Sequence, residues 1–520
     1  LYAAYHAAGH HAGEPTVILA KTVKGYGMGE SGESENTAHQ TKKLGVEDLK
    51  EFRDRFDIPL TDEQLGDTPY YRPPENSPEM EYMRARRAEL GGPLPQRRPH
   101  GRSLTVPGLD AFESVTRGSG DREISTTMAF VRILSSLLRD KDLKDRIVPI
   151  IPDEARTFGM EGMFRQLGIY SSEGQLYEPE DSGEIAPYKE TKDGQVLEEG
   201  INESGAMSAW IAAATSYSSH DTPVIPFYIF YSMFGFQRVG DLCWLAGDIQ
   251  ARGFLLGGTA GRTTLNGEGL QHQDGHSHLL AATVPNCVAY DPAYGYELAV
   301  IIRDGLRRMY AEREDVFYYV TVMNENYVQP ALPEGAEAGI LRGMYRLEAG
   351  DGGRDGRRVR LLGSGTILRE VRAAAELLRE THDVAVEVWS VTSFNELRRE
   401  ALAVDRWNLL HPDAEPRRSW VEQCLGDDDA PVVAATDYMK ALPDQIRQWV
   451  PGSYRVLGTD GFGRSDTREK LRSFFEVDRR WVVLAALKAL ADSQQVPAAE
   501  VAKAITELGI DPDKPDPVTV

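Results

Sequence analysis

Residues 257–278 read GGTAGRTTLNGEGLQHQDGHSH, and they concentrate groups that can bind, orient or move protons. Three histidines, two acidic residues and one arginine are set among six glycines. Glycine lets a backbone approach a ligand closely, and open α/β sheets keep ligands at the carboxyl ends of their strands. The apolar run Gly253-Phe254-Leu255-Leu256 before this stretch and Cys287 to Tyr290 after it both read as strands. The stretch is therefore expected at a strand end, as a ligand loop rather than a surface loop with solvated histidines. His272, Asp274, His276 and His278 also stand at spacings that suit zinc or iron. A His/Asp-ligated metallohydrolase is thus the alternative function.

Other chemistry-bearing residues fall at comparable places. Asp153 and Glu154 follow the apolar run Ile147 to Ile151, so two carboxylates are expected at a strand end. Glu203 precedes a helix rich in Gly, Ala and Ser, where it is either a capping carboxylate or a partly buried acid. Tyr231 and Phe234 close the aromatic run VIPFYIFYSM, residues 224–233, and the turn behind it. Lys24 and His39 lie in the glycine-rich polar segment 21–43, which has no apolar period to bury. His6, His10 and His11 have helical spacing, but no neighbouring cysteine or carboxylate completes a site, and solvated histidines are the better reading.

Apolar runs alternating with amphipathic segments position these groups. Such alternation predicts α/β domains with parallel or mostly parallel sheets covered on both faces. A Pro- and Arg-rich stretch from Tyr70 to Gly108 reads as a linker, with a short helix over 79–90. Further helices are expected over 45–57 and from Ser125, and a strand over Thr16 to Ala20. The division expected is residues 1–102, 103–335 and 336–520.

The chain has 520 residues with 41% hydrophobic and 27% charged content and a formal net charge of −22. That charge argues against a nucleic-acid partner or an acidic membrane surface. No apolar run reaches spanning length, and the three dispersed cysteines fit a reducing cytoplasm better than a disulfide framework. The start at Leu1, within a helical pattern, suggests a fragment. Gly363-Ser-Gly365 lacks the third glycine of a dinucleotide fingerprint. Gly350-Asp351-Gly352 lacks the following asparagine that a magnesium–diphosphate motif needs.

Longer motifs carry a resemblance. KTVKGYGMG with ENTAHQ, PDEARTFGMEGMFRQ, GINESGA, PFYIFYSMFGFQRVGDLCW, residues 257–278 themselves and GTDGFGRSDTREKLR resemble the homodimeric decarboxylating component of bacterial pyruvate dehydrogenase complexes. This family belongs to the transketolase-like superfamily. The resemblance implies three-layer parallel-sheet domains, with residues 1–102 as the tail of a diphosphate-binding domain plus linker. Residues 103–335 would be a pyrimidine-binding domain and 336–520 a C-terminal domain. It implies thiamine diphosphate and Mg2+ as cofactors, with the magnesium ligands outside these residues. It also implies oxidative decarboxylation of pyruvate in a homodimer, with acetyl transfer to a lipoyl-bearing acyltransferase. Glu203 would act on the pyrimidine ring, Phe234 would stack on it, and Tyr231 and His272 would face the reacting centre. His39 would serve lipoyl acetylation and Lys24 would neutralise an anion. Asp153 and Glu154 would be polar positioning groups, Glu154 also linking subunits. His276 and His278 take structural roles on this reading. A docking module without catalysis is a further class for a fragment acting alone.

Overall fold

The computed structural model describes residues 1–92, 98–152, 155–183, 187–350, 356–426 and 428–520. The chain divides into two units, Leu1–Pro95 and Gln96–Val520.

The first unit is helical and irregular. Helices α1 (Tyr2–His10), α2 (Val46–Arg55) and α3 (Pro78–Glu89) are its main elements. Ser77 caps α3 by accepting from the Met80 N–H, and Pro78 takes the first helical position, where its missing donor costs nothing. The strand expected over residues 16–20 does not form. Val17 and Leu19 are exposed and no described strand pairs with them, so the apolar run lacks the neighbour a buried strand requires.

The second unit is built on two sheets. The first comprises β1 (Ile147–Ile151), β2 (Leu197–Glu198), β3 (Ile225–Tyr231), β4 (Phe254–Gly258), β5 (Cys287–Tyr290) and β6 (Phe317–Thr321), in the order β2-β1-β3-β4-β6-β5, all parallel. Strand period decides which residues face which core. Phe227 and Ile229 of β3 pack on one side with α4 (Thr126–Leu137) and α7 (Gly295–Leu306). Tyr228 and Phe230 pack on the other with α5 (Glu203–Ala214) and α6 (Gly235–Asp248). Both faces are covered, which is why these strands are continuously apolar rather than alternating. Ser125 caps α4 through the Met128 N–H, as its position predicted.

The second sheet holds β7 (Met344–Glu348), β8 (Arg358–Gly363), β9 (Ala385–Val391), β10 (Val432–Ala435) and β11 (Tyr454–Leu457), in the order β7-β9-β8-β10-β11. Four strands are parallel and the edge strand β7 runs antiparallel to β9. Helices α8 (Leu368–His382) and α11 (Arg479–Asp492) cover one face, and α9 (Phe394–Leu410) and α10 (Trp420–Leu425) join the core of the other. No described helix is long and apolar enough to cross a membrane.

Candidate active site

Strand β3 ends at Tyr231 and β4 ends at Gly258, and these two residues are register partners. The carboxyl edge of the first sheet is therefore marked by an aromatic ring beside a glycine. The chain leaves β3 through the tight turn Ser232–Phe234 and enters α6 at Gly235. That turn sets the Tyr231 and Phe234 rings edge to face, with centroids 6.0 Å apart. His272, from the short turn Leu270–His272, completes the cluster at 4.9 Å from Tyr231 and 5.0 Å from Phe234. Its Nδ1 lies 3.3 Å from the Gly269 carbonyl. A proton held there leaves Nε2 as the acceptor.

Glu203 is the first residue of α5, but it does not cap it. Asn202 does, accepting the Gly205 N–H at 3.0 Å. The Glu203 carboxylate turns instead to Arg238, whose Nη1 donates to Oε1 at 2.5 Å. Arg238 stands one helical turn beyond Phe234 on α6, and its guanidinium lies 3.9 Å from the centre of the Phe234 ring. A flat group thus rests on Phe234 while its N–H donates to Glu203. A planar nitrogen heterocycle with a ring N–H would meet the same two partners, one for stacking and one for a charge-assisted hydrogen bond.

The glycines of residues 257–278 serve packing more than ligand approach, which corrects the expectation. A Cβ on Gly257 would meet the Tyr319 hydroxyl, on Gly258 the Phe158 ring, on Gly261 the Asp437 carboxylate and on Gly275 the Arg262 guanidinium. The loop is pressed against protein along much of its length. Thr259, at φ 48°, is a β-branched residue in the left-handed region, so the exit from β4 is strained.

Groups beyond β10 fasten this loop. Asp437, wholly buried, accepts from the N–H and hydroxyl of Thr263 through Oδ1, and from those of Thr264 through Oδ2. Burial pushes its carboxyl pKa up, and the hydrogen bonds from the two threonines and the charge of Arg472 oppose that rise. Arg262 donates to the carbonyls of Thr459 and Gly461, and the Met439 N–H donates to the Gly275 carbonyl. Gln273 accepts from the Arg464 N–H at 2.6 Å.

The candidate metal ligands diverge, so the metallohydrolase reading fails on geometry. Asp274 is committed to the backbone of His276 and Ser277 and to the Ser277 hydroxyl. His276 contacts Gln237 at 2.9 Å, while buried His278 contacts the Thr321 hydroxyl at 3.0 Å. Burial lowers the His278 pKa to about 4, so the ring is neutral. Among the described residues no group of three His, Cys, Asp or Glu could hold a metal ion. Thr321 in turn donates to Asp291 at 2.7 Å, a carboxyl that burial raises to about 7.

Lys24 and His39 are both exposed and belong to the first unit. Asp153 and Glu154 lie outside the described residues. Arg238 and Asp437 were missed. The signal for Arg238 was its place four residues after Phe234, and for Asp437 its place just past an apolar strand.

Residues 104–330 match the pyruvate dehydrogenase E1 component middle domain, and residues 343–478 the transketolase-like C-terminal domain. The pyruvate dehydrogenase E1 component of Pseudomonas aeruginosa is 65% identical over 519 residues, covering 100% of this chain and 59% of that protein. Over its whole length the chain is similar to pyruvate dehydrogenase E1 components. Its relative from Cupriavidus necator is 59% identical over 100% of this chain and 58% of that protein. The Escherichia coli K12 relative is 56% identical over 99% and 58%. The chain thus spans somewhat more than half the length of the family members it matches. In fold it is similar to transketolase from Campylobacter jejuni, with a TM-score of 0.60 at 16% identity, covering 91% of this chain and 63% of that one. Transketolase from Leishmania mexicana gives a TM-score of 0.56 at 16% identity, over 88% and 56%. The fold is transketolase-like.

Proposed function

We propose that this chain supplies the pyrimidine-side half of a thiamine diphosphate site. The whole protein would oxidatively decarboxylate pyruvate and reductively acetylate the lipoyl group of an acyltransferase partner. The observation that carries this reading is the Arg238 guanidinium, stacked on Phe234 and hydrogen-bonded to Glu203. It marks a slot fitted to a flat, N–H-bearing ring at the carboxyl edge of a parallel sheet.

Thiamine diphosphate would supply there a thiazolium carbon that, once deprotonated, adds to the keto carbon of pyruvate, and a ring C=N+ that takes up the electron pair released as carbon dioxide leaves. Glu203 would share a proton with the pyrimidine ring nitrogen, which favours the imino form whose exocyclic nitrogen acts as the base. Phe234 stacks on the ring and fixes its plane. Tyr231 and His272, packed ring to ring, face the substrate, with His272 Nε2 able to accept or return a proton. The two-carbon unit would be oxidised to acetyl as it passes to one sulfur of the lipoyl disulfide, the other sulfur leaving as the thiol. His39 serves that transfer and Lys24 offsets a diphosphate or carboxylate charge. Asp153 and Glu154 position polar groups, and Glu154 connects the two sites of a homodimer. These roles rest on the motifs that carry the family resemblance. The division at residues 1–102, 103–335 and 336–520, magnesium as the diphosphate's cation and a cytoplasmic location belong to the same reading.

The test is Glu203→Gln in the full-length protein, with thiamine diphosphate affinity and pyruvate decarboxylation measured separately. The variant should lose roughly 100-fold or more in decarboxylation, in the range that general acid–base groups contribute. Activity within threefold of the parent would overturn the reading.

A further inference from the structure

A second polar cleft, of about 550 Å³, opens where the segment after β6 meets α8 and the helix Arg468–Phe474. Its charges are unevenly matched. Glu370 is gripped by Arg479 at 2.9 and 3.1 Å, and Asp478 is engaged by Arg480 at 2.6 Å and by the start of α11. Of the acids lining the cleft, Glu325 alone faces Arg369, Arg468 and Arg472 together, while Glu370 also stands 3.7 Å from Arg472. Arg369 donates to it at 2.5 Å, Arg472 grips both of its oxygens, and Arg468 Nε stands 3.9 Å away. The remaining acid of the lining, Glu469, points from an exposed position and pairs with none of these arginines among the described residues.

Like charges gathered over one counter-ion in a partly buried place are costly unless a further anion joins them. Burial lowers the Arg468 pKa, and the neighbouring Arg472 and Arg369 charges lower it further, against the opposing pull of Glu325. Arg472 lines the cleft, its side chain is 6% exposed, and its Nε is buried without a hydrogen-bond partner. Arg468 spends one N–H on the Thr264 carbonyl at 2.6 Å and remains 29% exposed. Guanidinium groups present planar donor forks that match phosphate oxygens.

We infer that this cleft binds a phosphate group of a small phosphorylated ligand, held chiefly by Arg468 and Arg369 over the buried Arg472. The lining is almost wholly charged, so recognition is of the phosphate rather than of an apolar body. Because Arg468 also holds the Thr264 carbonyl, and Thr264 is clamped by Asp437, an occupied cleft stiffens the loop that carries His272. The inference is independent of the thiamine reading, since none of the cleft residues belongs to the Tyr231–Phe234–His272 cluster.

The test uses full-length protein saturated with thiamine diphosphate and its metal, so that the cofactor's own diphosphate pocket is filled. Inorganic phosphate, sulfate and acetate are titrated calorimetrically at constant ionic strength into the parent, Arg468→Gln and Arg369→Gln. Arg455→Gln, a substitution outside the cleft, is the control. Saturable phosphate binding is expected in the parent and the control, at least about tenfold weaker in both cleft variants, as loss of a charge-assisted contact predicts. Acetate should bind weakly or not at all. Absence of saturable phosphate binding by the parent would overturn the inference. So would equal binding by Arg468→Gln with its melting transition intact, or acetate binding as tight as phosphate. Sulfate competing at the same cleft would support it, because that dianion shares the tetrahedral oxygen geometry.

Discussion

Asp437 and Thr263 are joined twice, the carboxylate Oδ1 accepting the backbone N–H at 2.8 Å and the hydroxyl at 2.7 Å. Oδ2 repeats the arrangement on Thr264 at 3.1 and 2.5 Å. One wholly buried carboxylate therefore satisfies four donors of the loop that presents His272. Asp437→Asn turns one oxygen into a donor facing two other donors. It should cost roughly 2–4 kcal/mol, the penalty of breaking a buried hydrogen-bond set. Thermal unfolding checks the stability, and in the full-length protein a fall in the proposed pyruvate turnover beyond what unfolding explains would show the loop's position is at stake.

Gly261 and Gly267 lie in the same loop at φ 87° and 76°, yet only Gly261 has a neighbour where its Cβ would go. Gly267→Ala should cost about 1 kcal/mol from backbone strain alone. Gly261→Ala adds a clash with the Asp437 carboxylate and should cost about 2 kcal/mol more. Equal denaturation midpoints for the two variants would contradict the packing role of Gly261.

Arg238 covers the face of Phe234 and holds Glu203, two partners the proposed cofactor ring needs. Arg238→Ala removes a cation–π contact and a half-exposed ion pair, together worth about 1–2 kcal/mol. Association of thiamine diphosphate should quicken by up to about tenfold, followed as quenching of intrinsic fluorescence in stopped flow. A slower association would mean that Arg238 recruits the ring instead of standing in its place.

The buried chain His278–Thr321–Asp291 makes stability depend on pH in two opposed ways. Burial raises Asp291 to about 7, so the folded protein keeps a proton that the unfolded chain has released. The stabilisation this provides is complete below about pH 4 and is lost as pH rises through 7. Asp291→Asn should therefore gain on the parent across that window, by at most about 4 kcal/mol. His278 is lowered to about 4 by burial, so its contribution is present above its ordinary value and fades as pH falls through about 4. His278→Gln should flatten the acid side of the profile. Parallel pH–stability curves for the parent and both variants would contradict these assignments.

Tyr231, Phe234 and His272 were named together only through the family resemblance, and the structure sets their rings side by side. Their meeting follows from the turn after β3 and from the pairing of Tyr231 with Gly258. The six-stranded order was not legible, because β2 is two residues long and its neighbours are distant in sequence. Residues 16–20 misled for the reverse reason: a buried-strand composition forms no strand where no partner edge is offered. By composition the glycines of residues 257–278 suggest room for a ligand. What they accommodate is Asp437, Arg262, Phe158 and Tyr319, contacts that sequence distance concealed.

The clamp on Thr264 comes from a residue 173 positions further along the chain. During synthesis the His272 loop leaves the ribosome well before Asp437 exists to receive it, so this corner of the first sheet stays unfinished while the second is still being made. Domains fold as units in the order they emerge. Here the earlier one waits for the later one, and a ribosome stalled before β10 would hold a folded sheet with an unseated loop.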